Sequence, residues 1–391
     1  MKNKSPLLLI FLAVFIDLIG FGILIPILPT IAVRNFQASD FQIGLLVAIF
    51  SFVQFIFNPF FGSVSDKKGR KPIIVICLLL SSISYLIFSF AGSYLVLFIS
   101  RIIAGLGGSS ISVAQAYIAD ITTKENRSKG MGLIGAAFAL GFVFGPLIGG
   151  FLSKYGLDII GYTGASFSFI AFLVTWFVLP ESLKEKSNRK THRLFDFKIF
   201  SEVLRRPAIG IVIIVFFIIT FSMSNIFGTF SLLGYKDYHL SDMQIGILFG
   251  IMGIFSAFSQ TGLIHFLTKR YKDVTIISFG AFLLFISMLL MPNSTNYTML
   301  GVVSGVFTLG TGLLIPTSLS LLSKVTPDNE QGAVLGINQS ASALARVLGP
   351  LWGGFSFQFF GHSFPFLTGA IFVLAILIYS IFYLKAKVGL Y

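Results

Sequence analysis

SDFQIGLL at residues 39–46 returns 202 positions later as SDMQIGIL (241–248), and GPLIGG at 145–150 returns as GPLWGG at 349–354. Two echoes at nearly one offset mark an internal duplication. Around them lie apolar stretches near 7–31, 42–64, 72–91, 94–119, 130–152 and 160–180, then near 208–232, 243–264, 274–291, 297–322, 332–358 and 364–384. At about 1.5 Å of rise per residue, each is long enough for a helix to cross roughly 30 Å of hydrocarbon. Six crossings separate one copy from the next, so both copies enter the membrane with the same orientation. The predicted fold is therefore all-α and integral to the membrane, with twelve transmembrane helices in two parallel six-helix repeats. Residues 1–180 form the N-terminal bundle and 208–391 the C-terminal bundle. The polar stretch 181–207, ESLKEKSNRKTHRLFDFKIFSEVLRRP, links them and has room for a short surface helix.

Composition agrees. Of 391 residues, 55% are hydrophobic and only 11% charged, with mean hydropathy +0.91, more apolar surface than a soluble interior of this length encloses. The net charge of +13 would suggest nucleic acid in a soluble chain, but the basic residues cluster between the apolar stretches. Counting Lys and Arg loop by loop gives 23 on one side and 3 (Arg34, Lys154, Lys236) on the other. The positive-inside rule then puts both termini and the linker in the cytoplasm. The start, with Lys2 and Lys4, has the look of a signal peptide, but its apolar run continues through Asp17 to Pro29 without a small-residue cleavage pattern and reads as the first spanning helix.

Catalysis finds no support. Cys77 is the only cysteine, so neither a disulfide framework nor a thiolate metal site is available. There is no nucleophile and base constellation, and His192, His239, His265 and His362 fall in loops or at helix ends. No enzyme activity, metal or organic cofactor is expected. The 46 phenylalanines suit a lipid-facing surface better than a dedicated aromatic pocket.

Charges inside the spanning segments are few. Asp17 is the only acid well within one. A carboxylate at mid-membrane costs roughly 2.5–3.5 kcal/mol on insertion scales, so it marks a functional site by default, and a proton can neutralise it. Arg101 in the fourth segment is the natural partner. Arg346 in the eleventh is the one charge buried in the second half; anion recognition and a structural role both remain open for it. Asn225, Gln260 and Asn338 are polar residues inside helices that could line a solute cavity or bond a neighbouring helix.

Several motifs narrow the function. GSVSDKKGRK places Gly62, Asp66, Gly69, Arg70 and Lys71 in the pattern G-x-x-x-D-x-x-G-R-K. A positive-inside turn explains the basic residues but not the aspartate or the glycines. At these residues the chain resembles the major facilitator superfamily. The resemblance implies a cytoplasmic gate in which Asp66 faces the N-terminus of the eleventh helix, where the dipole favours an anion, and Arg70 pairs with Asp120 at the end of the fourth. The counterpart HFLTKRYKD (265–273) lacks the pattern, so the gate is expected to be asymmetric.

The fifth segment carries Ala137, Gly141, Gly145 and Gly149 at four-residue spacing with Pro146 among them, and the eleventh repeats this with Gly349, Gly353 and Pro350. Such spacing makes a smooth face against which another helix can pack and slide, the expected hinge of the two halves. GFVFGPLIGG also resembles the G-x-x-x-G-P-x-x-G-G motif of the superfamily's antiporters. RIIAGLGGSS (101–110) resembles the motif whose arginine, here Arg101, is linked to proton transfer. DLIGFGILIPILP (17–29) resembles the first helix of drug/proton antiporters, tetracycline antiporters in particular. Those proteins carry further acids in their third and ninth helices, and the corresponding stretches 72–90 and 274–291 have none here.

The expected protein is a proton-coupled efflux antiporter for a small lipophilic solute, with the proton as its only coupling ion. A bacterial inner membrane is the expected location and a monomer the expected state. A proton-coupled uptake symporter and a lipid or glycolipid flippase are the alternatives.

Overall fold

The computed structural model describes residues 6–123, 126–183, 197–327 and 330–384, and every regular element among them is helical. In chain order these are α1 (Pro6–Leu24), α2 (Leu28–Phe36), α3 (Asp40–Lys68), α4 (Arg70–Ser89), α5 (Tyr94–Gly107), α6 (Ser110–Ile121), α7 (Arg127–Leu152) and α8 (Leu157–Val178). After them come α9 (Phe197–Leu204), α10 (Pro207–Lys236), α11 (Asp242–Phe258), α12 (Ile264–Thr268), α13 (Asp273–Leu290), α14 (Tyr297–Val325), α15 (Gln331–Phe360) and α16 (Phe364–Tyr379). Most of the predicted linker, 184–196, lies outside the described residues; its surface helix is α9.

Among the described residues, eleven helical segments are both long and apolar enough to cross a membrane. The remaining predicted span, the eleventh in chain order, forms as the 30-residue α15, in which Asn338, Gln339, Ser340, Ser342 and Arg346 lower the apolar character. Three predicted spans are interrupted. The first breaks at residues 25–27, where Pro26 removes a backbone donor, and resumes as α2 with Pro29 in its first turn. The fourth breaks at Gly108–Ser109 between α5 and α6, and the eighth passes through a π-turn at Ser259–Leu263. Many large apolar side chains stay exposed, including Phe60, Phe177, Phe359 and Phe382, as a lipid-facing surface requires.

The helices cluster into two compact units. The first takes in residues 1–38, 49–194 and 240–250. Within it α1 packs on α7 and α8, and α4 on α5 and α8, around Ile10, Val14, Leu18, Ile74, Val113 and Tyr117. The second takes in residues 39–48, 195–239 and 251–391. Within it α10 packs on α15 and α16, and α13 on α14 and α16, the same pairings one repeat later.

Each unit holds a short segment from the opposite half of the sequence, and those segments are the repeated SD-x-QIG stretches. In the first unit the start of α11 lies on α7: a Cβ at Gly150 would fall 2.8 Å from the Asp242 carbonyl, and one at Gly246 would overlap the Pro146 carbonyl. Asp242 accepts from Thr30 at 2.7 Å and from Arg34 at 2.7 Å. In the second unit the start of α3 lies on α15: a Cβ at Gly354 would fall 2.5 Å from the Asp40 carbonyl, and Lys236 pairs with Asp40 at 2.6 Å. The two echoes that reveal the duplication are thus each other's contact partners, joined crosswise and fastened by one acid each.

Candidate functional site

Asp17 sits in the middle of α1 with 7% of its surface exposed. Its carboxylate accepts a hydrogen bond from Ser168 of α8 at 2.7 Å and has a longer contact, 3.4 Å, with Ser110 at the start of α6. These two hydroxyls come from two different helices because α1 packs against both α8 and α6. Gly20 and Gly164 let α1 and α8 approach, since a Cβ at Gly20 would come 3.2 Å from the Gly164 carbonyl. No cation lies within ion-pair distance of Asp17 among the described residues.

Arg101, expected to pair with Asp17, does not do so in this conformation. It is 4% exposed, its guanidinium carbon lies 4.9 Å from the centroid of the Phe50 ring, and its Nε has no hydrogen-bond partner. A cation over an aromatic face is held by the ring's quadrupole, a weaker restraint than a carboxylate. Phe50 in turn stacks on Phe21 of α1 and Phe21 meets Phe142 edge-on. The buried acid and the buried base are therefore not paired directly: hydroxyls hold the acid, the Phe50 ring lies by the base, and buried Tyr85 of α4 is electrostatically close to both.

The turn from α3 to α4 forms a second cluster, and here the expected pair is made. Arg70 Nε donates to Asp120 at 2.9 Å and Nη1 donates to Ser65 at 2.7 Å and pairs with Asp66 at 2.5 Å. Gly69 turns the chain at φ +110°, a left-handed value that favours glycine. Gly62 has open space where a side chain would stand, so packing does not explain its place in the motif.

Sequence reading missed Glu181. Its carboxylate accepts from the backbone N–H of Arg70 at 2.9 Å and of Lys71 at 3.2 Å, capping α4, which has no side-chain cap of its own. An anion at a helix N-terminus is favoured by unpaired donors and by the helix dipole. The only sequence signal is an acid just after Pro180, 111 residues from its partner. Glu181→Ala should destabilise the protein by about 1–2 kcal/mol, the usual cost of a lost cap. Glu181→Gln should fall between it and the natural chain, because an amide oxygen still accepts but carries no charge. Thermal unfolding in detergent checks the order.

Other expected site residues are placed differently from the prediction. Gly141, Gly145 and Gly149 face α1 in backbone-to-backbone contact: Cβ atoms at Gly141 and Gly145 would stand 2.8 Å from Leu18 Cβ and 2.6 Å from Gly22 Cα. Gly349 and Gly353 face α10 in the same way, with Phe221 and Asn225 carbonyls at 2.8 and 2.6 Å. Contacts this close make these faces internal seams of each bundle. The neighbouring row, Pro146 with Gly150 and Pro350 with Gly354, receives the exchanged helix starts.

Asn225 is fully buried and its amide donates to the Pro365 carbonyl at 2.7 Å, a bond between α10 and α16 in place of the expected cavity lining. Gln260 is exposed in the π-turn and donates to Ser256 at 2.9 Å. Asn338 is 1% exposed with both amide atoms unpartnered. Arg346 makes no ion pair or hydrogen bond with any described residue.

A buried carboxylate with neutral ligands in a duplicated helical membrane protein has the setting of a transporter. The family model described as Major Facilitator Superfamily matches residues 10–350 and 263–389. The chain belongs to the major facilitator superfamily. This multi-pass transporter is 31% identical over 374 residues to multidrug resistance protein 2 of Bacillus subtilis, covering 94% of this chain and 92% of that one. It is 29% identical over 359 residues to the class C tetracycline resistance protein of Escherichia coli, covering 90% and 89% of the two chains. Among solved structures, the nucleoside transporter NupG superposes with a TM-score of 0.79 at 16% identity, covering 96% of this chain and 99% of that one. The human organic anion transporter MFSD10 gives 0.72 at 24% identity, with 97% and 100% covered. At those identities the two superpositions speak to the major facilitator fold alone.

Proposed function

We propose that this protein is a proton-coupled antiporter that exports a small lipophilic solute, with Asp17 as the proton carrier. The setting of Asp17 carries the reading: a buried carboxylate held by hydroxyls alone can take or release a proton without breaking an ion pair. The similarity to multidrug and tetracycline resistance proteins along nearly the whole chain supports a drug-like solute and export. The loop charge bias favours both termini inside, and the bacterial relatives favour a bacterial cytoplasmic membrane.

In this scheme a proton arriving from outside neutralises Asp17 and favours one conformation; its release to the cytoplasm favours the other. Arg101, which lies by the Phe50 ring and makes no ion pair among the described residues, can approach the deprotonated acid, giving a two-state element that protonation biases. Arg70, with Asp66, Asp120 and Glu181, latches the cytoplasmic ends of its own bundle. The coupling is reciprocal: whatever proton binding does to solute affinity, solute binding does to proton affinity.

Inside-out vesicles carrying the protein, energised to an acidic interior, should alkalinise when a transported drug is added. A panel of lipophilic drugs including tetracycline, followed with an internal pH dye, tests this. A drug that is transported with no movement of internal pH would overturn proton antiport.

A further inference from the structure

Arg346 takes no part in either cluster described above. It is the sixteenth of the thirty residues of α15, so about 22 Å of helix separates it from either end. Snorkelling to an interface does not bridge that span. Nor does the side chain face lipid. Leu344, Leu348, Phe355 and Phe359 form an exposed apolar stripe on α15, and at 3.6 residues per turn Arg346 lies roughly 140–180° away from each of them; the other large exposed apolar side chain, Phe360, is the last residue of the helix, about four turns beyond Arg346. It shares its row with Pro350 and Gly354, the positions that receive the start of α3. Its exposure is intermediate, so the guanidinium is inside the protein yet reachable.

Among the described residues, its own unit offers no free countercharge. Asp40 is paired with Lys236, Asp273 with Lys324, Asp237 with His362 and Glu330 with Arg206. The remaining described acid there, Glu202, belongs to α9, outside the spanning helices. The repeat does not demand a charge at this position either. Its counterpart in the first half is Phe142, which packs against Phe21 and Phe138. A cation inside a spanning bundle is expensive unless something pairs with it, and it marks a solute or ion path by default. Two turns earlier in α15, Asn338 adds a buried donor and acceptor with no partner.

We propose that Arg346 recognises an anionic group of the transported solute, so that the preferred substrates are lipophilic monoanions or zwitterions bearing a carboxylate and not simple lipophilic cations. The planar fork of arginine matches a carboxylate with two parallel hydrogen bonds, which fixes orientation as well as charge. The inference rests on the solute-transport reading above but not on proton coupling. Its test therefore uses no gradient.

Three probes with one aromatic body and different charge decide it: pyrenebutyrate, its neutral methyl ester, and pyrenebutyl-trimethylammonium. Their binding to the full-length protein is measured at neutral pH in an uncharged detergent. The anion should bind about tenfold or more tighter than the ester, with the cation weakest. Arg346→Gln should reduce the difference between anion and ester to less than about threefold. Arg346→Lys should keep a preference for the anion, weakened several-fold because an ammonium lacks the fork. Equal binding of the three probes to the natural protein, failure of the anion to bind, or an undiminished preference in Arg346→Gln would each overturn the proposal. Should Arg346→Gln not fold, the ranking in the natural protein and in Arg346→Lys still decides. Loss of proton coupling in vesicles alters none of these outcomes, so the two readings fail separately.

Discussion

Asp17→Asn should reduce pH-driven exchange to the level of protein-free vesicles while leaving the protein folded. The side chain is buried, its bonds to Ser168 and Ser110 come from neutral hydroxyls, and asparagine is nearly the same size. The asparagine Oδ1 still accepts from Ser168, so the structural cost is about that of one ordinary hydrogen bond or less, roughly 1 kcal/mol. What is lost is the ability to bind and release a proton. Solute movement down its own gradient should therefore survive in Asp17→Asn, whereas uphill export should not. Counterflow and ΔpH-driven uptake measured on the same vesicles separate the two. Asp17→Asn with full ΔpH-driven exchange would remove Asp17 from the coupling mechanism.

Gly145→Ala and Gly135→Ala make the same chemical change ten residues apart on α7 and should have opposite effects. A Cβ at Gly145 would lie 2.6 Å from Gly22 Cα and 2.9 Å from the Ile23 nitrogen, backbone atoms with no side-chain freedom to yield. α1 would have to move off α7 along the seam that positions Asp17. Overpacking of this kind costs about 1–3 kcal/mol, and the displaced α1 should lower transport as well. At Gly135 nothing lies within 4 Å of the new methyl group. There the helix gains up to about 1 kcal/mol from alanine's higher propensity. Thermal unfolding of the two variants side by side, with transport measured on each, reads both signs. A Gly145→Ala protein as stable as the natural chain would show that α1 and α7 are looser than this seam implies.

The spanning helices were legible because their signal is local. Length, apolarity and the placement of Lys and Arg can be read segment by segment, and the duplication follows from two short echoes. The interruptions at 25–27 and 108–109 were signalled by Pro26 and by the Gly107–Gly108 pair, but glycine and proline also occur inside continuous helices such as α7 and α14, so the residues alone do not say which will break. The Arg70–Asp120 pair was reached through a motif. Glu181 was not, because a capping acid 111 residues away carries no pattern.

Sequence alone determined that the chain is a duplicated helical membrane protein with one acid and two bases in its spanning segments, since those facts depend on composition and period. Tertiary structure decided what each charge meets. Ser168, 151 residues from Asp17, is the hydroxyl that holds it, Phe50 lies beneath Arg101, and the described residues leave Arg346 without a counterion. It also decided that SDMQIG docks on GPLIGG and SDFQIG on GPLWGG, the partner motifs lying roughly a hundred or three hundred residues apart. Hydropathy fixes that a segment crosses the membrane. Which neighbour it crosses beside, and therefore which side chain satisfies a buried charge, is set by close packing among helices whose apolarity alone does not distinguish one neighbour from another.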